Sequence, residues 1–152
     1  MIRTTFATLA SGLTLWAAAS VAQAQVPQYG PNVTHEQARK VLAAAIADAR
    51  RQNLPMAVAI VDTAGHLVAF ERMDNTQSAS IAVAQDKALS AAMYRRPTKV
   101  FQDLIAGGGV GLRVLSLRGA NAVEGGVPLA VDGKIIGAVG VSGGSSEQDG
   151  VV

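Results

Sequence analysis

Two histidines, His35 and His66, and no cysteine bound the chemistry open to this 152-residue chain. Without Cys, disulfides and thiolate metal sites are excluded. A single His with no second ligand close in sequence is most simply a helix-start or turn residue, and both histidines fit that description. Gly140-Val-Ser-Gly-Gly144 matches the form of a nucleophile elbow around Ser142. Nothing after Ser142 supplies the His which that chemistry requires, so the reading fails. The bend Ser142-Gly143-Gly144-Ser145 has a second use. Free amides where a strand turns into a helix attract an anion or a carboxylate, which makes these four residues a candidate ligand-holding loop. Its competitor is a plain tight corner in which glycine relieves the backbone. Gly107-Gly-Gly-Val-Gly111 follows a helical pattern and lacks dinucleotide-binding spacing. Asp86 and Lys87 sit side by side among alanines, either as a buried or intersubunit pair or on a solvated face.

The elements that must position these residues are readable from pattern. Thr34-His-Glu-Gln37 has capping-box spacing and opens a helix whose apolar stripe is Ala38, Val41, Leu42, Ala45, Ile46 and Ala49. Residues 56–61 and 67–70 are apolar runs of strand length across an Asp62-to-His66 turn, which predicts a hairpin. A helix rich in alanine runs from Ser78 or Ser80 to Arg95 and should be mostly covered. Pro97 stops it, and Thr98 is expected to cap a shorter helix reaching Ala106. Residues 112–123 sustain no periodicity; Arg113, Leu115 and Leu117 suggest a short strand. Asp132-Gly133 between Leu129-Ala-Val131 and residues 134–141 is a strong hairpin signal. Ser145-Ser-Glu-Gln148 repeats the capping box. Paired strands separated by paired helices give an α+β class: an antiparallel sheet built from two β-hairpins with helices packed on it.

Met1-Ile-Arg-Thr-Thr, the apolar stretch from Phe6 to Val21 and Ala22-Gln-Ala24 have the form of a secretory signal peptide. Residues 1–24 are therefore expected to be removed, which implies a periplasmic or secreted protein with no stable membrane insertion after cleavage. Residues 25–33 form an extended lead-in, and residues 34–152 form a single domain. Without Arg3, the 13 Lys and Arg fall by one against 11 Asp and Glu, leaving a charge near +1. That balance argues against nucleic acid as a partner.

Ala57-Val-Ala-Ile-Val-Asp-Thr-Ala-Gly-His-Leu67, Phe70-Glu-Arg-Met-Asp74, Ala84-Gln-Asp-Lys-Ala88, Arg96-Pro-Thr98, Gly125-Gly-Val-Pro128 and residues 133–144, closed by Glu147-Gln-Asp149, occur in one order across nearly the whole of residues 25–152. Together they resemble the GlcG/HbpS family, the haem-binding or haem-degrading domain also found at the C-terminus of PduO-type proteins. The resemblance implies a sheet flanked by helices, a homo-oligomer, and haem or a related tetrapyrrole as cofactor. It implies iron contacts at His35 and Thr98, with Arg95, Arg96 or Arg113 meeting the propionates. From this chain a haem iron could draw only on His, Met, Tyr or a weaker oxygen donor. Haem degradation is carried by the resemblance alone, because no paired acid and base fixes a reaction. The alternatives are a periplasmic module that holds a small carboxylate in the Ser142–Ser145 bend, as an accessory of an oxidation pathway, and a structural assembly subunit without a ligand. Family members continue after Glu-Gln-Asp into a full apolar helix, so a shortened C-terminal helix is expected here.

Overall fold

The computed structural model describes residues 26–152; the expected signal peptide lies outside the described residues. Helix α1 (His35–Arg51) precedes strands β1 (Ala57–Val61) and β2 (Leu67–Arg72). Helices α2 (Ser80–Tyr94) and α3 (Lys99–Ala106) follow, then a 3-10 helix (Gly109–Ser116), β3 (Gly126–Val131), β4 (Lys134–Ser142) and α4 (Ser146–Val151). The four strands form one antiparallel sheet in the order β2-β1-β4-β3, so the two hairpins join through β1 and β4. The α+β expectation holds.

Each hairpin closes as its turn residues dictate. Asp132 and Gly133 both take positive φ, 50° and 72°, the backbone of a two-residue turn whose twist matches the flanking strands. In the first hairpin the Asp62 carboxylate Oδ1 accepts from the amides of Ala64 and His66, each at 2.9 Å. Pro128, which has no amide hydrogen to donate, is accommodated because β3 is an edge strand.

Alternation along β1 divides the core between the two faces of the sheet. Val58 and Ile60 join Ala38, Ala45, Ile46 and Ala49 of α1 on one face. Ala57, Ala59 and Val61 join Ala84, Ala88, Ala91 and Ala92 of α2 on the other. All five β1 side chains are at most 1% exposed, and burial of each valine or isoleucine among them favours folding by about 1.5–3 kcal/mol. The α2 face is lined with small side chains, so helix and sheet approach closely. A Cβ added at Gly140 of β4 would lie 2.0 Å from the Ala84 carbonyl oxygen.

The α1 capping box forms as expected: Thr34 Oγ1 accepts from the Gln37 amide at 3.2 Å, and Gln37 Oε1 accepts from the Thr34 amide at 2.9 Å. The lead-in pairs with β4, where Gly30 donates to the Ile135 carbonyl at 2.7 Å and Ile135 donates to the Gln28 carbonyl at 2.8 Å. Two expectations fail. Residues 109–116 form a 3-10 helix in place of a short strand; Gly108 and Gly109, with φ of 65° and 55°, turn the chain out of α3, and the leucines that follow have no neighbouring strand to pair with. Thr98 precedes α3 but does not cap it. Its backbone is already helical, at φ −64° and ψ −23°, which turns the hydroxyl away from the helix start.

Candidate functional site

The Gly-Ser bend is filled from within. Asp149 Oδ1 accepts from the amides of Gly143 at 3.0 Å and Gly144 at 2.9 Å. Ser145 Oγ accepts from the Gln148 amide at 3.3 Å, Gln148 Oε1 accepts from the Ser145 amide at 2.9 Å, and Ser142 Oγ donates to Ser80 Oγ at 3.2 Å. The anion for which these amides are suited is thus the chain's own carboxylate. A small carboxylate could enter only by displacing Asp149, which corrects the reading of Ser142, Gly143, Gly144 and Ser145 as an open ligand loop.

Asp149 also resolves the choice at Asp86 and Lys87. Lys87 is fully buried, and its Nζ donates to Asp149 Oδ2 at 2.6 Å and to the Val141 carbonyl at 3.0 Å. Asp86 is exposed and takes no part. One ammonium on α2 therefore ties the end of β4 to α4. The available sequence signal was a carboxylate in the first turn behind a Gly-Gly bend; nothing local marked Lys87 as its partner.

Thr98 is fully buried at the α2–α3 corner. Its amide donates to the Gly126 carbonyl at 2.9 Å, and its Oγ1 accepts from the Gly126 amide at 2.9 Å, a two-way clasp on the start of β3. Thr98→Val keeps the shape but leaves that buried amide without its acceptor. Unfolding in urea should show a loss of about 1–3 kcal/mol, with the circular dichroism of the folded state unchanged.

The arginines expected at propionates have other neighbours. Arg95 ends α2 in a left-handed conformation, φ 54°, with its guanidinium 5.3 Å from the Tyr29 ring centre and Nη1 donating to the Pro27 carbonyl at 3.3 Å. Arg96 Nε donates to the Tyr94 carbonyl at 3.0 Å, beside the Phe101 ring. Arg113 is exposed on the 3-10 helix.

The histidines are both exposed but differently placed. His66 Nδ1 lies 3.4 Å from Asp62 Oδ2 in the first hairpin turn. Burial acts to raise the Asp62 pKa, but the amide hydrogen bonds from His66 and Ala64 outweigh it and hold the carboxyl below its ordinary value. His35 opens α1, and a cleft of about 370 Å³ lies at that end of the helix. Thr34 and Gln37, either side of His35 in sequence, line that cleft with Pro31, Val131, Ile136 and Lys134. The lining joins an apolar wall to the Asp132 carboxylate and the Lys134 ammonium, with His35 adjoining through Thr34 in the chain. Lys134 went unread in the sequence, because only the pairing of the lead-in with β4 brings it there.

His35 and Thr98 are not brought together. α1 packs on the Val58 and Ile60 face of the sheet, whereas Thr98 clasps Gly126, whose missing Cβ would meet the Lys87 carbonyl of α2 on the opposite face. Within one chain they cannot ligate a single iron. Among the described residues no cluster of three or more His, Asp or Glu forms a metal site either.

These features define a small α+β domain with a helix on each face of an antiparallel sheet and an open cleft at the start of α1. The chain belongs to the HbpS-like family, described as haem degrading protein HbpS-like, whose model matches residues 33–152. Protein GlcG of Escherichia coli K12 is 38% identical over 110 residues, covering 72% of this chain and 81% of GlcG. The crystal structure of Klebsiella pneumoniae protein ORFY superposes with a TM-score of 0.73 at 28% identity, covering 87% of this chain and 91% of ORFY. The PduOC:haem complex superposes with a TM-score of 0.70 at 30% identity, covering 79% of this chain and 88% of PduOC.

Proposed function

We propose that this chain is an exported haem-binding protein that holds the macrocycle at the cleft beside His35. The observation that carries the site is an exposed imidazole at the start of α1 whose neighbours Thr34 and Gln37 line an apolar-walled cleft that also presents Asp132 and Lys134. The haem-bound relative PduOC supports the ligand class. When bound, haem would supply an iron centre that takes a nitrogen donor. In this reading a ring nitrogen of His35 would hold the iron. Pro31, Val131 and Ile136 would pack against the macrocycle and exclude water, and Lys134 would pair with a propionate. His66 lies outside this site, in the first hairpin turn beside Asp62. Thr98 acts as the clasp on β3, since reaching its oxygen from solvent requires the α2–α3 corner to open.

The cleft is open on one side, which leaves room for solvent or for a second copy of the chain. A homo-oligomer and a cleaved leader over residues 1–24 belong to the same proposal. Haem breakdown lies outside it. Hemin titrated into purified residues 25–152 should show a saturable Soret shift, with the absorbance co-eluting with protein on size exclusion. An unshifted hemin spectrum with no co-elution would remove haem from the account.

A further inference from the structure

Positive charge without partners and the most exposed apolar side chains coincide in one segment of the molecule. Between Arg95 and Arg118 the chain has five Lys and Arg against Asp103 alone, whereas the other described residues have seven against ten Asp and Glu. Lys99 is paired with Asp103 at 2.8 Å and Arg95 lies on Tyr29, which leaves Arg96, Arg113 and Arg118 without an ion pair among the described residues. The same segment exposes Val110 by 82% and Leu115 by 73%, with Leu104, Leu112 and Leu117 also exposed. These pieces adjoin. A Cβ at Gly111 would strike the Leu104 carbonyl, and the Tyr94 hydroxyl donates to the Arg118 carbonyl at 2.7 Å.

Side chains this free form a projection; a groove that received a partner helix would cover them. We infer that the projection formed by α3 and the 3-10 helix docks on an anionic lipid surface, its leucines and valines entering the headgroup boundary and its arginines meeting lipid phosphates. Membrane-surface segments combine these two features, apolar side chains on one side and cations that reach anionic headgroups. No helix of the described residues is long and apolar enough to cross a membrane, so the contact is peripheral. The inference does not depend on haem.

Co-sedimentation tests it with haem-free residues 25–152, which hold all the elements described above, and vesicles of phosphatidylcholine alone or mixed equally with phosphatidylglycerol. Partition should be at least about tenfold higher on the anionic vesicles and should weaken as salt is raised. Val110→Asn/Leu115→Asn should lower it about tenfold or more with an unchanged urea midpoint, because both side chains are exposed. Arg113→Gln/Arg118→Gln should abolish most of the preference for anionic lipid. Equal partition on both vesicles, or none at low salt, would overturn the inference. So would a dimer in sedimentation velocity that the Val110→Asn/Leu115→Asn variant dissolves, since a second copy would then cover the surface.

Discussion

Asp149→Ala is expected to remove about 3–5 kcal/mol of folding stability, a large share of what holds a domain of this size together. The substitution deletes the only carboxylate beside a fully buried ammonium: Lys87 Nζ keeps the Val141 carbonyl and loses the partner at 2.6 Å. It also strips the Gly143 and Gly144 amides of their shared acceptor. Lys87→Met should cost less, because the Asp149 carboxylate keeps both amides. Combining Lys87→Met with Asp149→Asn removes both charges and leaves a carbonyl oxygen for the amides, so the pair should recover most of the loss. Urea unfolding of the parent, Lys87→Met, Asp149→Asn and the Lys87→Met/Asp149→Asn pair gives the coupling directly. Additive single and double losses would mean that the pair does not act as a unit.

The second large effect is at the sheet surface under α2. Gly140→Ala should cost about 3 kcal/mol or more, at or beyond the top of the usual overpacking range. Its new Cβ would lie 2.0 Å from the Ala84 carbonyl oxygen and 2.6 Å from the Ala88 amide nitrogen, both backbone atoms that cannot rotate away. α2 would have to rise off the sheet, carrying Lys87 with it. Gly133→Ala is the control. That position has open space around it and φ of +72°, so only the left-handed strain of an L residue applies, about 1–2 kcal/mol. A smaller loss at Gly140 than at Gly133 would show that α2 does not rest on β4 as described.

What could be read from the sequence was what is settled within a few residues. The capping boxes at Thr34 and Ser145 each need only a side chain and an amide three positions apart, and both formed. Asp132-Gly133 states its own backbone angles. The apolar runs on either side of the two turns gave the hairpins and, with them, the fold class. What escaped reading depends on contacts far along the chain. Lys87 meets a carboxylate 62 positions away, while its neighbour Asp86 drew attention by proximity alone. Thr98 precedes a helix as a cap would, yet its hydroxyl serves a glycine 28 positions on. The bend's amides were rightly seen as suited to an anion, but that the anion is internal follows only from how α4 folds back. Residues 109–116 have no period to read, because a short 3-10 helix with exposed leucines buries little that would impose one.

In the proposed function His35 contacts haem and Thr98 is structural. The direct measurement is the hemin titration of His35→Ala and Thr98→Val side by side with the parent chain, followed at the Soret band. The expected result is loss of the shifted band in His35→Ala and its retention in folded Thr98→Val. An unchanged band in His35→Ala, with loss in a Thr98→Val protein that remains folded, would contradict it.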